Sequence, residues 1–208
     1  MTLREIIHLY NAMGSPFKKN GLVYSVNDEN KVEVSLSRDF KDRDIEVPNE
    51  VESIQQFAFS YFRNLGSITI SNSVESIGPS AFYMCSGLKN VKLPENLTEI
   101  KDNTFYMCES LHSIDLPCTL LKLGNWSFGG CSSLAGIKVP PSAIHIGDYA
   151  FYGGKNLTNV EIPVNVMHIG ESAFENCDNL VYVKLPKRFT THIDTSFYTD
   201  RNIIFDFY

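Results

Sequence analysis

Apolar residues return along this chain at a fixed interval of 23 positions. The clearest column is Phe59, Phe82, Phe105, Phe128, Phe151, Phe174 and Phe197, and other columns keep its register. Ile45, Ile68, Val91, Ile114, Ile137, Val160 and Val183 make one, and Val47, Ile70, Leu93, Leu116, Val139, Ile162 and Leu185 make another two residues on. Apolar residues alternating with polar ones form the inward side of a short strand. Pro48, Pro94, Pro117, Pro140, Pro163 and Pro186 follow directly, with Ser71 the exception, and a residue without an N–H ends the strand and turns the chain. A second apolar pair comes next, as in Val74 with Ile77 and Val166 with Ile169. Gly78, Gly124, Gly147 and Gly170 then recur, where a second bend is expected to need a positive φ. Ala58, Ala81, Thr104, Ser127, Ala150, Ala173 and Ser196 place a small residue before each phenylalanine, leaving room for a neighbouring coil. A leucine closes each unit, at Leu65, Leu88, Leu111, Leu134, Leu157 and Leu180. A repeat this short cannot bury its own apolar face, so about seven units over residues 44–200 are expected to stack into a solenoid whose core exists only between coils.

The ends read differently. Thr2 and Glu5 stand at capping-box spacing, Leu3, Ile6, Ile7 and Tyr10 share one face, and Gly14 with Pro16 supplies the stop, which predicts a helix over 2–13. Leu22 to Val26 and Lys31 to Leu36 alternate on either side of Asn27, Asp28, Glu29 and Asn30, the pattern of a β-hairpin within 21–36. Solenoid ends need covering, and an open edge strand invites pairing with another chain. Residues 1–43 are therefore expected to cap the first coil, the helix serving either in that cap or as a docking element for another domain. Ser37 to Arg43 forms a charged connection. At the far end Ile203, Ile204, Phe205 and Phe207 predict a closing strand within 201–208. In the seventh unit His192 stands where isoleucine is expected and Ile193 where glycine is, which predicts a distorted terminal coil.

Segments such as Val160 to Leu180, V-E-I-P-V-N-V-M-H-I-G-E-S-A-F-E-N-C-D-N-L, resemble the BspA-like class of leucine-rich repeats, over about three quarters of the chain. The resemblance implies a leucine-rich-repeat solenoid: a right-handed superhelix, mainly of short parallel β-strands, with short helical or irregular convex segments. Proteins of this class are mostly cell-surface or secreted proteins of bacteria, and of some parasites, that bind host or neighbouring proteins. A protein partner and an adhesion or host-interaction role are what the resemblance implies here.

Composition trims the alternatives. A chain of 208 residues suffices for one domain with its caps, and its net charge of −6 has the wrong sign for nucleic-acid binding. No run of ~18 apolar residues is present to span a membrane. Met1 to Met13 does not read as a signal peptide, being interrupted by Glu5 and His8; either the protein stays inside the cell or an export signal is missing from this chain. Four of the five cysteines, Cys85, Cys108, Cys131 and Cys177, share one column while Cys118 stands apart. Side chains in one stacked column point the same way, so buried free thiols are expected rather than disulfides, and no CxxC clustering suggests zinc. His145 and His168 are stacked on adjacent units, but Lys122 and Glu99 precede them; two solvated imidazoles fit better than a metal site, which needs a third ligand. No phosphate loop, nucleophile elbow or HExxH occurs. No cofactor, no metal and no enzymatic activity are expected.

Two outward surfaces are candidates for contact. One residue per unit lies between the inward strand residues: Glu46, Thr69, Lys92, Asp115, Lys138, Glu161 and Lys184. From Lys92 the sign alternates, which reads as a self-neutralising ladder or as a binding code, opposite charges across strands being mildly stabilising. Around the second bend the column Phe57, Ser80, Asn103, Trp126, Tyr149, Ser172 and Thr195 holds the chain's one tryptophan beside a tyrosine, and Tyr83, Tyr106 and Tyr152 occupy an outward column next to it. Exposed aromatics suit protein or sugar contacts, or merely cover the convex segment. The expected function is a protein–protein interaction module, with a structural scaffold or a glycan binder built on Trp126 and Tyr149 as alternatives.

Overall fold

A computed structural model describes residues 2–36, 42–191, 193–197 and 203–208. His192 and residues 37–41 of the charged connection lie outside the described residues. The chain winds into a parallel β-solenoid of about seven turns, and the seven phenylalanines of the repeat column stand in one row, each at most 1% exposed. Successive ring centroids are 4.9–5.6 Å apart at interplanar angles of 2–16°. Burial stabilises by roughly 1.5–3 kcal/mol per ring and each offset ring pair by a further ~0.5–1.5 kcal/mol, so this row is a large part of what holds the coils together.

The backbone around the row is as regular as the rings. Each phenylalanine N–H donates to the carbonyl of the small residue before the next phenylalanine, as in Phe82 to Thr104 (2.9 Å), Phe105 to Ser127 (2.9 Å) and Phe128 to Ala150 (2.8 Å). Phe57, Ser80, Asn103, Trp126, Tyr149 and Ser172 have φ of 51–57°, and four residues further on Tyr61, Met84, Met107, Gly130, Gly153 and Asn176 have φ of 56–74°. A left-handed residue bearing a Cβ costs roughly 1–2 kcal/mol. That cost is offset by hydrogen bonds, because the rotation aims alternate N–H groups at the next coil: Trp126 to Asp148 (2.9 Å), Phe128 to Ala150 (2.8 Å) and Gly130 to Tyr152 (2.7 Å). The column cysteines close the arrangement from below, Cys85 Sγ donating to the Phe59 carbonyl (3.0 Å) and Cys131 Sγ to that of Phe105 (3.1 Å). All four are buried free thiols, and burial pushes Cys85, Cys131 and Cys177 up to about 12.

The recurrent glycines have a different role from the one expected. None of Gly78, Gly124, Gly147 and Gly170 has a positive φ; the left-handed positions are the non-glycine columns above. A Cβ on Gly124 would lie 2.7 Å from the Asp102 nitrogen, and one on Gly170 2.3 Å from the Asp148 nitrogen, so the column is empty because successive backbones touch there. Lys101 replaces glycine in the third coil. There the ladder of second strands breaks: Ser53–Ile54 pairs with Ser76–Ile77, and Glu99–Ile100, Lys122–Leu123, His145–Ile146 and His168–Ile169 pair in series, but 76–77 and 99–100 do not pair. Beside the glycines a side-chain ladder runs through the bend. Asp102 Oδ1 accepts from Asn125 N–H (2.8 Å), Asn125 Oδ1 from Asp148 N–H (2.9 Å) and Asp148 Oδ1 from Glu171 N–H (2.9 Å).

The sheet before the prolines is interrupted too. Asp44–Val47, Ser67–Ile70 and Asn90–Lys92 form one parallel sheet; Asn159–Glu161, Tyr182–Leu185 and Ile204–Phe207 form another. Residues 113–116 and 136–139 join neither, although Ile114, Ile137 and Val139 remain buried. These middle coils are held by core burial and the phenylalanine-side stack instead. The last strand is in register at an interval of 22 rather than 23, Lys184 opposite Asp206 and Leu185 opposite Phe207, so one residue is missing between Phe197 and Ile204.

At the N-terminus the helix Leu3–Ala12 carries a complete capping box, Thr2 with Glu5, and buries Ile7. A strand not foreseen from the pattern, Phe17–Lys19, pairs antiparallel with Leu22–Val26, which pairs with Val32–Leu36. The last of these adds parallel to Ser53–Ile54 and so covers the edge of the second-strand sheet. Glu52 joins the pieces, accepting from Val32 N–H (2.8 Å) and from Arg4 Nη2 (2.6 Å); those two donors hold its carboxyl below its ordinary value despite partial desolvation.

Gly124→Ala is expected to lower unfolding free energy by about 1–3 kcal/mol, the usual cost of overpacking. Gly136→Ala, where a Cβ meets nothing within 4 Å, is expected to stay within ~0.5 kcal/mol of the parent. Urea titration of the two variants checks this, and equal midpoints would remove the close-approach account.

Candidate functional site

The two aromatic columns read as neighbours in the sequence merge into one ridge. Its members sit in or beside the left-handed positions of the bend, which turn side chains out of the coil. Tyr61 meets Tyr83 (ring centroids 5.5 Å apart) and Tyr83 stacks on Tyr106 (5.0 Å). Tyr106 meets Trp126 nearly at right angles (5.6 Å, 79°), and Trp126 stacks on Tyr149 (4.4 Å, 8°) with Tyr152 beside it (5.2 Å). Six rings thus run continuously over five coils. Tyr61 is 59% exposed and the other five are half-buried. Burial raises Tyr83 above the ordinary phenol value, with Tyr61 and Tyr106 adding to the shift.

The sequence reading missed two parts of this ridge. Tyr61 lies one position off the tyrosine column, where Met84 and Met107 stand in the next coils, so column matching passes over it. Gly129 occupies the tyrosine column of the fourth coil, and a Cβ on it would lie 2.7 Å from Trp126 Cε3 and 3.2 Å from Tyr106 Cδ2. Glycine there is the seat of the indole: the large ring reaches across from the neighbouring column into the space that a tyrosine takes elsewhere. Beside it a notch of ≈ 250 Å³ opens, lined by Tyr106, Met107, Gly130, Tyr152 and Gly153, with Glu109 and Lys155 at its rim.

The alternating charges are only partly brought together. Lys184 Nζ reaches Glu161 Oε1 (3.1 Å), and Lys184 also lies over the Tyr208 ring (5.1 Å). The ladder continues one step further than the 23-residue columns show, with Asp206 opposite Lys184 and accepting from Tyr182 Oη (2.7 Å). Lys92, Asp115 and Lys138 make no ion pair among the described residues, because the strands that would set them side by side are unpaired in the fourth and fifth coils. A neutralised ladder therefore exists only at the C-terminal end. Lys92 and Lys138 each border a surface groove, of ≈ 690 Å³ and ≈ 540 Å³ respectively.

His145 and His168 stack (centroids 4.7 Å apart, 15°) on the second-strand sheet, next to the Lys122–Glu99 ion pair (2.9 Å). Among the described residues no three of His, Cys, Asp or Glu gather as metal ligands would. Burial, then His168 and Lys122, hold the His145 imidazolium below its ordinary value.

Two outcomes follow from this geometry. Gly129→Ala is expected to lift Trp126 from its seat and shift the emission of the chain's one tryptophan to the red; an unchanged spectrum would contradict the seating. A histidine whose folded pKa is depressed contributes stability that is complete above the unfolded value near 6.5 and is lost as pH falls through the window below it. Unfolding free energy is therefore expected to drop as pH falls below about 6.5, less steeply in His145→Gln, as urea midpoints measured down through that window will show.

With the geometry in place, comparison with known proteins locates the chain. A family model described as BspA type Leucine rich repeat region matches residues 37–152 and 121–205, in 6 copies. Among solved structures the chain is similar to the T. pallidum leucine-rich-repeat protein TpLRR, at 27% identity over 84% of this chain and 88% of that one, with a TM-score of 0.75. It is similar in fold to a leucine rich cell surface protein from Faecalibacterium prausnitzii, at 24% identity over 86% of this chain, with a TM-score of 0.52, and spans 41% of that protein. A leucine-rich-repeat protein from Bacteroides ovatus is likewise similar in fold, at 21% identity over 92% of this chain and 76% of that one, with a TM-score of 0.51. No curated protein matches the chain. Among the described residues no helix is long and apolar enough to cross a membrane. The matched segments take in every stacked coil, and the chain belongs to the BspA-type leucine-rich-repeat family.

Proposed function

We propose that this protein is a protein-interaction module whose partner meets the aromatic ridge. The observation that carries the reading is the continuity of Tyr61, Tyr83, Tyr106, Trp126, Tyr149 and Tyr152, held on a hydrogen-bonded stack. Tyrosine and tryptophan offer large contact area with few rotatable bonds, and here neighbouring rings have already restricted those bonds, so little ordering entropy remains to be lost on binding. Glu109 and Lys155 at the notch supply charges of both signs for orientation. Family membership supports an adhesion-type role at the cell surface or in secreted form.

A glycan platform built on Trp126 is the weaker alternative. Sugars stack on an open ring face, whereas this indole lies between Tyr149 on one adjacent coil and Tyr106 on the other. A scaffold without a ligand leaves the outward faces of these rings without a role.

Immobilised protein exposed to detergent extracts of bacterial and host cell surfaces is expected to retain a defined set of proteins. Trp126→Ala and Tyr106→Ala should each weaken retention by ~30-fold or more, as for residues at the centre of an interface, with Lys138→Ala near parent level. Retention unaffected by either aromatic change moves the contact off the ridge; binding on a glycan array that disappears with Trp126→Ala favours the sugar reading.

A further inference from the structure

The corner that follows each proline position changes character partway along the solenoid. Two outward residues per coil vary there, the one after the proline position and the one three further on, beside a position that is polar in every coil (Glu50, Ser73, Asn96, Thr119, Ser142, Asn165 and Arg188). The two that vary are polar in the first three coils, Asn49 with Glu52, Asn72 with Glu75, Glu95 with Thr98, and again in the seventh, Lys187 with Thr190. In coils four to six they are Cys118 with Leu121, Pro141 with Ile144, and Val164 with Met167, and all six are exposed. Leu121, Ile144, Val164 and Met167 expose 43%, 47%, 54% and 67% of their surface. The adjoining strands are paired in register, Lys122 with His145 and His145 with His168, so the six side chains form one largely apolar patch three coils long, with Thr119, Ser142 and Asn165 between its two rows and Arg188 at its C-terminal edge donating to Met167 Sδ (2.8 Å) and to the Val164 carbonyl (3.0 Å). The fold does not require them, since the same backbone carries asparagine, glutamate, threonine and lysine in other coils. Isolated exposed apolar residues are ordinary, but a contiguous patch confined to one stretch marks a contact surface.

The charges at its two ends identify the occupant. Glu95 lies two coils before Pro141 and Lys187 two coils after it, in the same column, and neither makes an ion pair among the described residues. A two-fold axis crossing this corner at the fifth coil reverses coil order and lays each column on its own copy. Glu95 then faces the partner's Lys187 and Lys187 the partner's Glu95, Leu121 faces the partner's Met167, and Ile144 faces its own mate. With the axis along the solenoid instead, Glu95 would face threonine and both charges would stay unpaired. From this self-complementarity we infer that the corner of coils four to six is the contact surface of an antiparallel dimer of this chain, an isologous interface of apolar centre and charged ends. The second strand separates it from the aromatic ridge in every coil, so the two surfaces stand or fall separately.

Sedimentation equilibrium over a range reaching roughly millimolar protein tests the inference, since a patch this small belongs to the weak class of interfaces. The expected result is a mass rising from one chain toward two, and a monomer throughout for Ile144→Asp. Glu95→Lys and Lys187→Glu should each weaken association, and the double variant should recover it, because both cross-dimer pairs are then restored with reversed sign. Ile144→Cys in a Cys118→Ser background should oxidise to a covalent dimer, its mate being adjacent on the axis. Each substituted position is exposed, and unchanged melting temperature and circular dichroism confirm folding. A single-chain mass at every concentration, association insensitive to Ile144→Asp, or a double charge variant no better than the singles would each overturn the proposal.

Discussion

The rise from one coil to the next is the quantity on which the rest of this molecule depends. On the phenylalanine side it is set twice, by rings that can approach no closer than their π-clouds allow and by N–H···O bonds that tolerate little stretch. Ring centroids 4.9–5.6 Å apart and N···O distances of 2.7–2.9 Å in the same coils, with 3.3 Å at Phe57, are compatible demands. The left-handed residues make them so. Placing two such residues four positions apart turns alternate N–H groups along the solenoid axis, and the bonds gained repay the strain.

Elsewhere the rise is not enforced equally, and the exceptions shape the surface. Gly124, Gly147 and Gly170 let consecutive backbones touch, while the second-strand ladder breaks in the coil where Lys101 takes the glycine's place. The sheet before the prolines loses its pairing in the middle coils, although the apolar columns there stay buried. Outward charges depend on that pairing. Glu161 and Lys184 meet across paired strands; Lys92, Asp115 and Lys138 do not.

A scaffold so strongly determined by its inward columns leaves the outward ones free to specialise. The aromatic ridge uses that freedom at the bend, where Gly129 gives Trp126 a seat that no other coil has. The apolar corner of coils four to six uses it on another surface, replacing polar residues without altering the backbone. The two surfaces proposed above, for a partner and for a second copy of the chain, thus fall on different columns of one repeat.

The period of the phenylalanines, the alternation before the prolines and the shared column of the cysteines were legible in the chain itself, because they reflect burial, and burial depends on side-chain type at regular spacing. They were enough to determine a solenoid, its repeat length, its inward residues and the family. Backbone conformation and distance between coils were not legible. Nothing in the letters of Phe57, Trp126 or Tyr149 marks a left-handed residue, and the glycines next to them suggested that conformation at the wrong positions, since a glycine required for closeness and one required for φ look alike in sequence. The ridge became continuous, with Tyr61 and Gly129 as members, only once side chains from different columns were placed in space. The missing residue before Ile204, which brings Asp206 opposite Lys184, likewise emerged from strand register. Contacts that run within a column follow from periodicity; those that cross columns are decided by the folded geometry.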